Sequence, residues 1–126
     1  MKTTKKGVPL TRCSETKTES QFFGWIRSHA RRLSIMWKPK NDYLLTVRRK
    51  YTGKDKRTKF EYQCQICKKW VTRKEYEVDH IIPCGSLTCF SDIGIFYEKL
   101  LCEVDGYRGL CKSCHLEITN CDRGKR

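Results

Sequence analysis

The sequence predicts an α+β fold in which a basic helical N-terminal arm precedes a small mixed core drawn around four cysteines. Three observations predict it. Apolar residues recur at helical spacing between Thr18 and Trp37, and short β-prone runs flank polar turns between Phe60 and Leu110. Two Cys-x-x-Cys pairs, Cys64/Cys67 and Cys111/Cys114, lie in the same second half. At 126 residues and 15.0 kDa there is room for one compact domain and an extra arm, and 38% hydrophobic against 33% charged residues gives only a modest core.

Residues 1–17 are Thr/Lys-rich without periodicity and are expected to form a flexible basic tail. Thr18-Glu-Ser-Gln21 fits a capping box, in which the Thr hydroxyl and the Gln side chain satisfy free amide donors at a helix start. Phe22, Trp25, Ile26, Ala30, Leu33 and Trp37 form the apolar stripe of that helix, a core face rather than a base-stacking platform, and Pro39 is expected to stop it. A second helix is predicted over about 41–51, with Tyr43, Leu44 and Val47 inward and Arg48, Arg49 and Lys50 outward. A polar connector follows over 52–59.

Phe60-Glu-Tyr62, Trp70-Val71 and Tyr76-Glu-Val78 have strand character. Residues 83–90 are a loop, and a helix is predicted over 91–101 with Ile93, Phe96, Tyr97 and Leu100 on its apolar face. A turn at Gly106 leads into a short strand ending at Leu110. The last helix runs from Cys111 to about Asn120, and Arg123-Gly-Lys-Arg126 is a basic tail.

Charge is segregated. Residues 1–60 hold 17 Lys/Arg and 4 Asp/Glu, whereas residues 61–126 hold 10 of each, so the whole net charge of +13 lies in the first half. A solvated surface would not be so divided. Nucleic acid is the natural partner, because Lys/Arg contacts to phosphates release counterions and give sequence-independent affinity. The arginines of the first helix are read as phosphate contacts, since backbone contacts predominate in such interfaces. Apolar stretches are only a few residues long and none follows the basic start Met1–Lys6, so neither a transmembrane helix nor a secretory signal is expected, and the expected location is cytoplasmic.

The nine cysteines are Cys13, Cys64, Cys67, Cys84, Cys89, Cys102, Cys111, Cys114 and Cys121. An odd count without a secretion signal argues against a disulfide framework. Two intervening residues let a tight turn present both thiolates of a pair to one tetrahedral ion, and two such turns fill a structural zinc site. The other five are then small buried or surface residues.

Two of the three histidines fall beside this framework. Val78-Asp-His-Ile-Ile-Pro83 puts Asp79 and His80 at a strand end, where a regular strand points them to opposite faces; one shared cleft requires the chain to turn there. His115 follows Cys114, about 100° further round the helix, and is held rigidly without facing the zinc. Taken singly, each histidine is as readily structural.

Cys64-x2-Cys67, then Val78-Asp-His-Ile-Ile-Pro83, then Leu110-Cys-Lys-Ser-Cys-His115 resemble the HNH endonucleases, specifically their zinc-stapled, phage-type members. The motifs span residues 60–120, about half the chain. The Thr18–Lys40 stretch, with Trp37-Lys-Pro39, also resembles the N-terminal region of small HNH proteins encoded by phages. The resemblance implies a ββα-metal core over residues 58–122, with a DNA-binding arm over 18–57. It implies His80 as the general base, Asp79 and His115 as holders of a catalytic Mg²⁺ or Mn²⁺, and Cys64, Cys67, Cys111 and Cys114 as holders of structural zinc. The expected DNA contacts are Arg27, Arg31, Arg32, Lys38, Lys40, Arg48, Arg49 and Lys50. The expected partner is double-stranded DNA, met by a monomer or a transient dimer in the cytoplasm of a bacterial host.

The expected activity is phosphodiester hydrolysis. A neutral imidazole takes a proton from water near pH 7, and a hard cation offsets charge on the phosphate and the leaving oxygen. One departure bears on it: where the family often has Asn, this chain has Gly106, preceded by Asp105. The alternative is a non-catalytic zinc module that binds nucleic acid, or a decayed nuclease. A redox role for the Cys-x-x-Cys pairs is disfavoured, because two pairs make one metal site.

Overall fold

Four stretches of chain alternate to build two units in the computed structural model, which describes residues 1–124 and side chains through Cys121. Met1–Trp37 and Ile82–Leu101 form the first unit; Lys38–Ile81 and the chain from Cys102 onward form the second. Neither unit begins or ends at the expected boundaries 17/18 and 57/58. Of the tail expected over 123–126, residues 125 and 126 lie outside the described residues, and 123 and 124 close the last helix.

The first unit is built on helix α1, Glu19–Ile35. Its capping box is formed: the Gln21 amide donates to the Thr18 hydroxyl at 3.1 Å, and the Thr18 amide donates to Gln21 Oε1 at 3.0 Å. The buried residues are Phe23, Ala30 and Ser34, so the expected stripe holds at Ala30 and at half-buried Ile26 but not at Trp25 and Leu33, which are about half exposed. Ala30 packs with Leu87 and with Phe96 and Leu100 of helix α3, Ile93–Leu100, and Ile26, Ile93 and Tyr97 join them. The apolar face of α3 is the expected one, although the segment opens with a single 3₁₀ turn over Phe90–Asp92.

Residues 1–17, expected to lack structure, are folded into turns with bridges Thr3↔Pro9 and Arg12↔Lys17. Arg12 anchors them, with its Nε 2.7 Å from Glu19 and its guanidinium 4.9 Å from the Phe22 ring centre and 5.2 Å from that of Phe90.

The second unit opens with helix α2, Lys38–Thr46. Pro39 sits in its first turn, where a missing amide costs nothing, so it starts this helix rather than stopping α1. Strands β1 (Arg48–Lys50), β2 (Phe60–Gln63) and β3 (Trp70–Thr72) form an antiparallel sheet in that order. The helix predicted over 41–51 therefore begins and ends earlier, and Arg48, Arg49 and Lys50 lie on a strand. Pairing outweighs helical periodicity here: Arg49 meets Glu61 at 2.6 Å, and Arg48 lies 3.9 Å over the Phe60 ring.

Strand β4, Tyr76–His80, pairs antiparallel with β5, Tyr107–Cys111, from Tyr76↔Cys111 to His80↔Tyr107. Helix α4, Lys112–Gly124, follows β5 directly and packs on both strands. Gly109 joins the parts of this unit: its amide donates to the Tyr43 hydroxyl at 2.6 Å and its carbonyl accepts from the Gln65 amide at 2.9 Å. A Cβ at 109 would fall on the Tyr76 hydroxyl, which donates to the Gln63 carbonyl at 2.9 Å; only glycine permits that approach. The architecture is thus mixed α+β with two small sheets. Among the described residues, no helix is long and apolar enough to cross a membrane.

Candidate metal centre

Cys64 follows β2 at the start of a tight turn. Its amide donates to the Lys69 carbonyl at 2.9 Å, and the Lys68 amide returns to the Cys64 carbonyl at 3.0 Å. Closing the turn places Lys68 in the left-handed region, at φ 63°, a conformation costing a non-glycine residue about 1–2 kcal/mol. Cys67 is thereby brought back beside Cys64. Cys111 ends β5 and Cys114 lies in the first turn of α4, three residues on and on the same helix face.

The four Sγ atoms lie within 4.8 Å of one another, and Cys67 Sγ is 3.7 Å from Cys111 Sγ. A zinc tetrahedron with ~2.3 Å Zn–S bonds has edges of ~3.8 Å. All nine cysteines are free thiols. Burial opposes ionisation of Cys64, but amides of Cys111, Cys67 and Ile66 outweigh it and hold the thiol down to about 6. Cys114 is pushed up to about 12, first by its hydrogen bond to Cys111 and then by burial. The pocket therefore stabilises the Cys64 thiolate and opposes that of Cys114. Four thiolates together require a cation at their centre, and this donor set suits zinc.

Asp79 and His80 are the last two residues of β4. Asp79 pairs in register with Arg108, and its Oδ2 accepts from Arg108 Nη2 at 3.2 Å while Oδ1 accepts from the His80 amide at 2.9 Å. His80 pairs with Tyr107, ring centres 5.0 Å apart. The two side chains therefore leave opposite faces. The chain does not turn between them, since the Ile81 amide still donates to the Gly106 carbonyl at 2.9 Å. His115 is half-buried in the first turn of α4. Asp79, His80 and His115 are not part of a group of three or more ligands among the described residues.

Gly106 has its own partner. A Cβ there would meet Cys102 Sγ at 2.6 Å and Cys102 Cβ at 2.9 Å, so the Cys102 side chain fills the space an Asn would need.

Of the basic residues expected to meet DNA, Arg31, Arg32, Lys38, Arg48, Arg49 and Lys50 are exposed, and Arg27 and Lys40 are half-buried. Arg27 lies against the Phe96 ring at 5.7 Å, with a buried Nε. Lys38 is 2.7 Å from Asp42, and Arg49 is tied to Glu61 and stacked over Trp70. Burial first, and the charge of Arg73 second, hold the Lys40 amine below the usual lysine range.

Sequence reasoning missed Arg108 and Tyr107, and placed Tyr43 inward without its bond to the Gly109 amide. Only Arg108 left a signal, a single charge within the otherwise apolar run Tyr107-Arg-Gly-Leu-Cys111. No family model, curated protein or solved structure matches the chain.

Proposed function

We propose that the chain is a metal-dependent DNA endonuclease of the HNH type, with β4, β5 and α4 as its ββα-metal core and the four cysteines as its structural zinc site. One observation carries the reading: β4 pairs antiparallel with β5, which runs directly into α4, with Asp79-His80 ending β4 and His115 adjoining the cysteine pair at the helix start. Asp79 and His80 leave opposite faces of β4, so for both to reach one phosphate the end of the strand must turn when DNA binds.

In this reading His80 takes a proton from the attacking water, and the Tyr107 ring beside it restricts how the imidazole turns. Asp79 and His115 would hold Mg²⁺ or Mn²⁺, which would supply positive charge to offset that of the phosphate. Asp79 would have to give up its Arg108 partner to do so.

A second reading, a non-catalytic zinc module that binds nucleic acid, is favoured by two observations. Asp79 already has a counter-charge in Arg108, and Cys102 occupies the space beside Gly106.

Supercoiled plasmid separates the two. Nicking or linearisation by the zinc-loaded protein with Mg²⁺ or Mn²⁺, absent without the cation and lost in His80→Ala, is the expected result. Plasmid that stays intact across unrelated DNA sequences, despite binding, leaves the module.

A further inference from the structure

The basic charge is concentrated away from α1. That helix holds three arginines and Glu19, whereas residues 48–74, spanning the three-stranded sheet, hold eleven Lys/Arg against Asp55 and Glu61. This one stretch supplies +9 of the chain's +13. Both acids are engaged locally. Glu61 takes Arg49, and Asp55 accepts from the Arg57 amide at 3.0 Å and the Thr58 hydroxyl at 2.9 Å. Among the described residues, no carboxylate forms an ion pair with the side chain of Arg57, Lys59 or Lys74.

These cations converge on an open cleft of about 820 Å³ between the loop joining β1 to β2 and the turn Arg73–Glu75, lined also by Arg73, Phe60 and one carboxylate, Asp55, which feels the charge of Lys74. Arg73 is held in place, donating from Nη1 to the Tyr76 carbonyl at 2.9 Å. Lys40 lies half-buried near it and feels its charge. Such crowding of like charge around a concavity is relieved by an anionic ligand.

The aromatic lining decides what kind of ligand. Arg48 covers one face of Phe60 at 3.9 Å, and Tyr62 is buried and stacked on Tyr76 with centres 5.4 Å apart. One face of Phe60 is taken and Tyr62 is buried, so the lining lacks the succession of open ring faces on which single-strand binders stack their bases. Positive side chains without stacking platforms or fixed base-edge readers suit phosphates.

We propose that this cleft grips the phosphodiester backbone of duplex DNA through Arg57, Lys59 and Lys74, without regard to sequence. The inference rests on the nucleic-acid part of the proposed function and not on cleavage by His80.

The test uses the full-length, zinc-loaded chain and labelled DNA duplexes of two unrelated sequences. Anisotropy is followed from about 50 to about 200 mM KCl without added divalent cation. The cleft triple variant Arg57→Gln/Lys59→Gln/Lys74→Gln is compared with Lys2→Gln/Lys5→Gln/Lys6→Gln, which loses the same charge. Each phosphate contact contributes about 0.9 to the slope of log K against log salt, so the cleft variant should flatten the slope by about 2–3 and weaken both duplexes by the same factor, on the order of tenfold or more. The control should change the slope by less than one.

Equal effects of the two triples, no effect of the cleft triple, or no duplex binding by the unaltered chain would each overturn the proposal. Circular dichroism and zinc content check folding; if the triple fails them, Lys74→Gln alone should flatten the slope by about one, and an unchanged slope would count against the cleft. Plasmid cleavage by the unaltered chain with undiminished binding by the cleft variant would discard the cleft and keep the nuclease. Lost binding by that variant, with no cleavage by the unaltered chain, would do the reverse.

Discussion

Arg108 Nη2 stands 3.2 Å from Asp79 Oδ2 across the β4–β5 pair, so the carboxylate assigned to a cation already has a positive partner. Both side chains are about one-third exposed, and the pair stabilises the fold by no more than about 1 kcal/mol. Its larger consequence is competition. In Arg108→Ala, Mn²⁺ titrated into zinc-loaded protein and followed by electron paramagnetic resonance should bind several-fold more tightly than in the unaltered chain. An unchanged affinity would place the cation elsewhere.

Zinc uptake should release protons in a pH-dependent number. The Cys64 thiol, held down to about 6, is already a thiolate at pH 7.5, whereas Cys114, pushed up to about 12, is not. Calorimetry in buffers of different ionisation enthalpy should therefore give fewer than four protons per zinc at pH 7.5. The number should rise as pH falls through about 6, where Cys64 also starts protonated. A count that does not vary with pH would contradict the backbone stabilisation of that thiolate.

Gly106→Asn cannot be a simple restoration, because Cys102 fills the space. Alone it should destabilise the zinc-loaded protein by about 1–3 kcal/mol in denaturant unfolding. Pairing it with Cys102→Gly removes both close contacts and should recover part of the loss as a non-additive term in a double-mutant cycle. If the proposed function holds, the double variant should also nick plasmid faster than Cys102→Gly alone. Strict additivity in stability would show that the two sites do not meet.

Gly109 and Tyr43 should be sensitive for different reasons. Gly109→Ala drives a methyl into the Tyr76 hydroxyl, an overpacking cost of about 1–3 kcal/mol. Tyr43→Phe leaves the buried Gly109 amide without its 2.6 Å acceptor, at about 1–3 kcal/mol. Urea unfolding of zinc-loaded protein measures both, and a Tyr43→Phe midpoint equal to that of the unaltered chain would mean that water replaces the hydroxyl.

Features carried by near neighbours were legible in the amino-acid sequence. The Thr18–Gln21 capping box closes over three residues. Each Cys-x-x-Cys pair is set by a single turn, and the apolar face of α3 follows the 3.6-residue period. The meeting of the two cysteine pairs was also legible, because four soft ligands with that spacing have one economical arrangement.

Features that depend on a distant partner were not. Val47 to Tyr51 has both a helical period and β-prone residues, and its strand state is chosen by Phe60–Tyr62, which supplies backbone pairing and the Glu61 partner of Arg49. The face that α1 buries is selected by α3, some sixty residues on, and falls on Phe23, Ala30 and Ser34 instead of Trp25 and Leu33. The pairing of Asp79 with Arg108 and the filling of the Gly106 site by Cys102 follow from strand register and close packing. By itself the sequence determined the local turns, caps and ligand spacings, where the interacting groups are covalent near neighbours. The tertiary structure alone decided which charges are neutralised, which faces are buried and where the basic cleft lies, because those depend on groups that only folding brings within a few ångströms.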